Sequence, residues 1–346
     1  MSKNLKQCTV VLTRACNLRC EFCYVKSAGY SETDFIEYKD LKSIVDFCTD
    51  SEVKFMFFTG GEPLTYPYLK EILNYIKEKQ HPMVVAIATN GILLQKKGFC
   101  EDLIHHGVEY IDISMKGYDS KAWMEITGFD GLEIQYKAIQ NLASLPIEFT
   151  CSMVITHQNV QYFLKSVYSA KRNGAKQFSF TFVIDNNNEI EKDYVYLQKN
   201  NPINLIDAFI SQVDQLNSIT EEWWIEYSFP MCMYTEKQLD ILLGRLASPC
   251  QIHMKNAVTF NTKMELLPCD MYIKNKLGKL GRDFSSYEEL IKLNENENYN
   301  DIMEDIRKLP ADDCKLCKYL KHCYGGCPIL WKNYSYATLM DFKRNN

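Results

Sequence analysis

The 346-residue chain has no hydrophobic run long enough to cross a bilayer. Its longest apolar stretches, such as residues 55–58 and 83–88, fall far short of the roughly 20 residues a spanning helix needs. It has no secretory signal, because Thr13 and Arg14 break the N-terminal apolar run and no small-residue cleavage site follows. It also lacks a strong charge bias. With 39 Lys+Arg against 44 Asp+Glu the net charge is −5, which argues against a protein that coats nucleic acid or an anionic membrane. Histidine is scarce: His81, His105, His106, His157, His253 and His322 show no metal-ligand spacing and read as structural or solvated. No low-complexity tract is present. At 46% hydrophobic and 24% charged residues, the composition excludes disorder over most of the chain. These features predict a cytoplasmic globular protein of about two domains, with neither a nucleic acid nor a membrane as partner.

What the chain has in excess is cysteine, fourteen in all. A reducing cytosol keeps thiols free, so a dense set there points to metal rather than disulfides. Cys8, Cys48, Cys100 and Cys151 stand alone in strand-like or helix-like runs and read as buried, inert thiols. The other ten lie in or near two clusters.

Strand-like runs at 8–13, 53–59, 84–89, 110–114, 147–154 and 178–184 alternate with helical patterns at 35–48, 68–78, 99–106, 134–145 and 160–172. Several of the strands are near-continuous apolar runs, as strands covered on both faces should be. Alternating strand and helix predicts a parallel sheet with right-handed crossovers. Six units are too few for the usual eight-unit closed barrel, so the expected fold is α/β, a partial (β/α)6 barrel. Residues 186–201 read as a polar excursion, 202–216 as a last helix, and the aromatic-rich 221–234 as a final strand plus a bridge. We expect a barrel over residues 1–220 and a smaller cysteine-rich domain over 221–346, its core supplemented by metal.

Cys16-Asn-Leu-Arg-Cys20-Glu-Phe-Cys23 is C-x3-C-x2-C, in the loop after the first strand. Active sites of parallel α/β folds gather at the carboxyl ends of strands. Three thiolates on one loop can hold three irons of a [4Fe–4S] cluster and leave the fourth open, or they belong to a zinc site that needs a fourth ligand. The spacing and loop position resemble the signature of the radical SAM superfamily. The resemblance implies that the open iron binds S-adenosylmethionine (SAM), whose reductive cleavage gives a 5′-deoxyadenosyl radical that abstracts hydrogen from substrate. Two further segments carry it: Thr59-Gly60-Gly61-Glu62-Pro63 after the second strand, and Ala88-Thr89-Asn90-Gly91 after the third. By that resemblance Gly60, Gly61 and Glu62 meet the methionyl amino group, Asn90 and Ser114 lie near the cofactor, and Phe22 lies beside the adenine. On residue type alone, Gly-Gly is a turn, Tyr24 a packing aromatic and Lys116 a solvated cation.

Cys314-Lys-Leu-Cys317-x5-Cys323-Tyr-Gly-Gly-Cys327 follows, with Cys250 and Cys269 upstream. A four-cysteine zinc knuckle is one reading. The run also resembles SPASM domains, the auxiliary-cluster extensions of a radical SAM subgroup, which implies one or two auxiliary [4Fe–4S] clusters. The resemblance assigns Cys250, Cys269 and Cys327 to the first, with Cys232 as candidate fourth ligand, and Cys314, Cys317 and Cys323 to the second. The pattern departs from the family at two points: no cysteine follows Cys327, and Met264 stands where a glycine is expected. Asp270, directly after Cys269, resembles the proposed proton acceptor of anaerobic sulfatase-maturing enzymes; a simple Cys-Asp turn is the bland alternative.

Taken together, the resemblance implies a radical SAM oxidoreductase that oxidises or crosslinks a residue of a peptide or protein, in the manner of ribosomal-peptide maturases. It would be oxygen-labile and fed by a reductant such as flavodoxin or ferredoxin. With only seven residues before the first strand, a leader would be held by a separate protein, or the substrate needs none. The aromatics Trp223, Trp224, Tyr227 and Phe229 read as core packing or as the lining of a peptide channel. A radical SAM dehydrogenase or epimerase of a small molecule is the second reading, and a non-catalytic iron–sulfur scaffold or electron carrier the third.

Overall fold

The computed structural model describes residues 5–184, 199–226, 229–247 and 250–344. The β-branched and aromatic runs form parallel strands β1 (Gln7–Thr13), β2 (Phe55–Gly60), β3 (Val84–Thr89), β4 (Val108–Met115), β5 (Glu148–Ile155) and β6 (Gln177–Phe182). Each begins and ends within two residues of the range read from the sequence. Helices Tyr38–Asp50, Leu69–Glu78, Lys97–His105, Leu132–Ala143 and Phe163–Arg172 cover the outer face. Leu69, Ile72, Leu73 and Ile76 show why: spacing of three and four residues puts them in one stripe, and all four are buried.

The two faces of the sheet differ in chemistry. On β1, Cys8, Val10 and Leu12 are fully buried, whereas Gln7, Thr9 and Val11 are half-buried on the other face. Residues 55 and 57 on β2, 112 and 114 on β4 and 152 and 154 on β5 alternate in the same way. The inner face is therefore a partly open lumen with polar and aromatic walls, not a second apolar layer as the run-on strands suggested.

β7 (Trp223–Ile225) is the expected final strand, parallel to β6. The helix expected over 202–216 is two helices, Pro202–Ile210 and Val213–Ile219, the first capped by Asn201 accepting from the Ile203 and Asn204 N–H groups. The helix Ser120–Thr127 escaped the sequence reading; Asp119 caps it by accepting from the Ala122 N–H at 2.7 Å. Most of the excursion at 186–201, and Tyr227, lie outside the described residues.

At the opposite edge, β8 (Ala257–Phe260) pairs in parallel with β1, and β9 (Glu265–Leu267) and β10 (Gly278–Lys279) follow antiparallel. One ten-stranded sheet thus runs in the order β10-β9-β8-β1-β2-β3-β4-β5-β6-β7, from the cysteine-rich region into the barrel. Met264, in the β8–β9 turn, has φ of 59°, a left-handed conformation that favours glycine. The turn is kept although its residue is not glycine, and the buried Met264 side chain packs into the core. Cys8, Cys48, Cys100 and Cys151 are all buried in the core, as expected.

Candidate active site

The carboxyl ends of β1 to β4 meet at one rim, and the loop bearing Cys16, Cys20 and Cys23 lies on it. Two glycines hold that loop. The Gly61 N–H donates to the Thr13 carbonyl at 2.8 Å, and the Glu62 N–H to the Ala15 carbonyl at 2.7 Å. A Cβ on Gly60 would strike the Thr13 carbonyl, and one on Gly61 the Ala15 carbonyl, while Gly60 also has φ of 133°. The Gly-Gly pair is therefore a docking strip for the cysteine loop.

Glu62 is 1% exposed. Its Oε1 accepts from the Leu64 N–H at 3.1 Å and from Thr89 Oγ1 at 2.7 Å, and its Oε2 from the Asn90 N–H at 2.9 Å. Burial raises its pKa; these three donors and nearby Lys116 oppose the rise. Asn90 Nδ2 reaches back to Asn17 Oδ1 at 2.8 Å, so the loops after β1, β2 and β3 form one hydrogen-bonded unit. Gln135 Nε2 donates to the Asn90 and Ser114 carbonyls, which ties in the end of β4.

Lys116 is not solvated: it is 5% exposed, donates to Ser114 Oγ at 2.6 Å and stands 5.3 Å from the centroid of the Phe22 ring. It is near enough to Cys20 to oppose the rise that burial imposes on that thiol. Burial also pushes the Cys16 thiol up to about 11, with Glu62, Cys20 and Cys23 adding to the rise. Cys16 and Cys20, whose thiolates burial disfavours, lie with Cys23 in an apolar surround of Leu18, Ile92, Trp123 and Leu132, which suits a bound cation that would take them as thiolates. The Leu18 N–H donates to Cys16 Sγ at 3.4 Å, the kind of hydrogen bond that tunes cluster thiolates. Among the described residues no three His, Cys, Asp or Glu side chains are close enough to hold a single metal ion. Soft donors set apart on one loop fit a polynuclear [4Fe–4S] group.

A cavity of about 800 Å³ runs from Phe22 and Tyr24 down the lumen and across to Cys250, Cys269, Asp270 and Cys327. Tyr24 and Asp270 hydrogen-bond each other across the junction of barrel and cysteine-rich region, and Tyr24 also meets Thr59 Oγ1 at 3.4 Å. Burial raises the Asp270 pKa, and the Tyr24 bond opposes the rise.

The remaining cysteines fall into two groups. Cys250, Cys269 and Cys327 influence one another and lie at the cavity wall. Cys232 does not join them. Its thiol is raised by burial, then by Cys323 and Cys314, and the neighbouring Met231 N–H donates to Cys323 Sγ at 3.3 Å. Lys343 fixes this segment by donating to the Cys232 carbonyl at 2.6 Å and the Tyr234 carbonyl at 3.1 Å. Cys232 thus lies near Cys323 and Cys314.

The family model "Radical SAM superfamily" matches residues 10–170, the segment that builds this rim. That segment is a radical SAM domain. The family implies a [4Fe–4S] cluster and SAM, and the donors just described fit both. The chain is 29% identical over 137 residues to a GTP 3′,8-cyclase of Chlorobaculum tepidum, covering 40% of this chain and 41% of that protein. It is 28% identical over 178 residues to the antilisterial bacteriocin subtilosin biosynthesis protein AlbA of Bacillus subtilis, covering 51% of this chain and 39% of that protein. These alignments span less than half the length of the curated relatives. In fold, the chain is similar to anSMEcpe with bound AdoMet (TM-score 0.72, 19% identity, 98% of this chain and 94% of that one). It is also similar to Streptococcus suis SuiB bound to the precursor peptide SuiA (TM-score 0.71, 18% identity, 94% and 72%). The radical SAM fold thus carries a cysteine-rich C-terminal extension of the same architecture as theirs. Trp223 and Phe229 are buried in the core, Phe229 stacked on Phe182 at 5.2 Å, while Trp224 is half-buried and bonds Glu226. No helix among the described residues is long and apolar enough to cross a membrane.

Proposed function

We propose that this protein is a radical SAM oxidoreductase that removes hydrogen from a residue of a peptide or protein, leading to oxidation or crosslinking. The observation that carries the reading is the single cavity joining the Phe22–Tyr24 edge of the cysteine loop to Asp270 and to the wall bearing Cys250, Cys269 and Cys327. Its supports are the bound peptides named for anSMEcpe and SuiB and the bacteriocin role named for AlbA. The GTP 3′,8-cyclase match stays within two fifths of the chain and speaks for the domain alone.

In this reading Cys16, Cys20 and Cys23 hold the first cluster, and the rim of Gly60, Gly61, Glu62, Asn90, Ser114 and Phe22 receives SAM. With its cluster bound, that rim supplies the one-electron cleavage of SAM that creates the hydrogen-abstracting 5′-deoxyadenosyl radical. Lys116 offsets negative charge beside Cys20. After a hydrogen atom has been abstracted, Asp270 accepts the proton the substrate residue releases. The remaining electron would be taken up by an auxiliary cluster held by Cys250, Cys269 and Cys327. Tyr24 holds the Asp270 carboxyl in place by hydrogen bonding. The raised pKa of Asp270 makes its ionised form a stronger base. Cys250, Cys269 and Cys327 would hold one auxiliary cluster with one position free of cysteine, and Cys232, Cys314, Cys317 and Cys323 a second, fully liganded one. A reductant such as flavodoxin or ferredoxin and, for a leader-bearing substrate, a separate binding protein complete the scheme.

Anaerobic coexpression with the short open reading frames flanking the gene, followed by intact and fragment masses of the peptides, tests the activity. Loss of two hydrogens at a defined residue is the expected result. Active SAM cleavage with no change in any such peptide, or in a wider peptide library, would move the assignment to a small molecule. With a modified peptide in hand, Asp270→Asn should lower product formed per 5′-deoxyadenosine released by about a hundredfold. An unchanged ratio would remove Asp270 from the scheme.

The cluster assignment has its own test. Cys232→Ala should lower bound iron by one cluster's worth, matching the drop in Cys314→Ala, and the double variant should lose no more than either alone. If the double variant loses twice as much, Cys232 belongs with Cys250, Cys269 and Cys327.

A further inference from the structure

The cavity wall on the β7 side carries a carboxylate that the scheme above does not use. Glu226 directly follows β7, and its N–H donates to the Phe180 carbonyl at 2.9 Å, which fixes it on the sheet. Glu226 keeps access to solvent and lines the 800 Å³ cavity. Among the described residues Trp224 is the one side chain that hydrogen-bonds it, and no cation among them acts on it. Burial raises its pKa, the direction expected for a carboxylate without a countercharge.

Asp112 stands on the inner face of β4, close enough to Glu226 for the Glu226 charge to be felt at Asp112. Its carboxyl is pushed up to about 6, first by burial; Ser152 and, more weakly, Lys116 oppose this, and Glu226 adds to it. Asp112 Oδ1 is buried with no hydrogen-bond partner. Buried polar atoms are nearly always paired, so an orphaned carboxylate oxygen marks a place where something is missing. The cations on hand are committed elsewhere. Lys116 is held by Ser114 and Phe22, and Arg307, at the part of the cavity formed by the cysteine-rich region, donates to the Ile252 carbonyl at 3.0 Å. Lys255 also belongs to that part, at the end of helix Gln251–Met254. Across the lumen, Phe55 and Phe57 stack on each other at 6.3 Å and line the same cavity.

A carboxylate without a countercharge, an unsatisfied carboxylate oxygen nearby and aromatic faces opposite are the components of a site for an organic cation. We infer that Glu226, supported by Asp112, binds the ammonium or guanidinium of a lysine or arginine side chain of the substrate. This inference rests on the peptide reading above and narrows it: the modified peptide carries a basic residue at or beside the target. Glu226 is then a specificity-determining residue. A neutral residue there would leave Glu226 without a countercharge and Asp112 Oδ1 without a partner, and discrimination of this polar kind is stronger than a hydrophobic pocket alone provides.

The test is a binding measurement that requires no turnover. The cluster-loaded protein is titrated calorimetrically, under anaerobic conditions, with Nα-acetyl-lysine methylamide, its arginine counterpart and the near-isosteric norleucine compound. The basic compounds should bind at least about tenfold more tightly than norleucine, a preference worth about 1.4 kcal/mol. Glu226→Gln should erase the preference and Glu226→Asp should keep its sign. Equal binding of all three, binding of none, or a preference that survives in both Glu226→Gln and Asp112→Asn would overturn the proposal; the wild-type comparison stands even if a variant fails to fold. The two readings fail separately. A basic preference with no peptide ever modified would retire the peptide reading and leave the cation site. A modified peptide with no basic preference would do the reverse.

Discussion

Replacing any one of Cys16, Cys20 and Cys23 by alanine should abolish 5′-deoxyadenosine formation and remove the iron and visible absorbance of one cluster, while the other cysteine sets keep theirs. The three thiols share one loop and one apolar surround, and burial disfavours the Cys16 and Cys20 thiolates without the positive iron to compensate it. Loss of one ligand leaves two thiolates for four irons. Measured by chromatography of anaerobic reactions with SAM and a strong reductant, cleavage should fall to the level of a protein-free control. Cleavage that persisted in the triple variant would sink the central assignment. Persistence in one single variant would mean that another group had taken the vacated position.

Gly61→Ala should have nearly as large an effect without touching a ligand. The new methyl would lie against the Ala15 carbonyl, and both partners are backbone, so neither can swing aside. Relieving it means moving the loop off β2, which breaks the bonds from the Gly61 and Glu62 N–H groups. Overpacking of this type costs about 1–3 kcal/mol. Here the displacement also shifts Cys16 and the Asn17–Asn90 contact that joins the loops. The expected result is a protein with near-native far-ultraviolet circular dichroism, intact auxiliary iron and at least about a hundredfold loss of SAM cleavage, since a displacement of about 1 Å can cost that much. Wild-type cleavage in this variant would show that the strip does not position the loop.

Much of this could be read from residue order because the information is local. Strand and helix periodicities are properties of short windows, and the six strands fell where the windows put them. Cys16, Cys20 and Cys23 are local in the same sense, and so are Gly60, Gly61 and Glu62. What escaped depends on contacts between distant positions. β8 is four residues long and pairs with a strand some 250 positions earlier, which leaves no trace in its own sequence. Cys232 was grouped by order along the chain, yet the fold of the tail brings it to Cys323. Lys116 looked like a solvated cation because nothing nearby in sequence announces that Phe22, Ser114 and Cys20 surround it. The one signal available was its even spacing from Asp112 and Ser114, which places all three on the lumen face of β4. Glu226, the charge at the end of the aromatic strand β7, gave no sign in sequence that it lines the cavity.

The pairing of β8 with β1 has a consequence for how the molecule can be taken apart. A chain cut near residue 220 would keep every strand and loop of the radical SAM rim, yet it would bare the hydrogen-bonding edge of β1 from Gln7 to Val10. Exposed edges of that kind template strand addition between molecules. The tail thus covers that edge within the same polypeptide. Proteolytic nicking between the two should be followed by self-association, not by release of a soluble half.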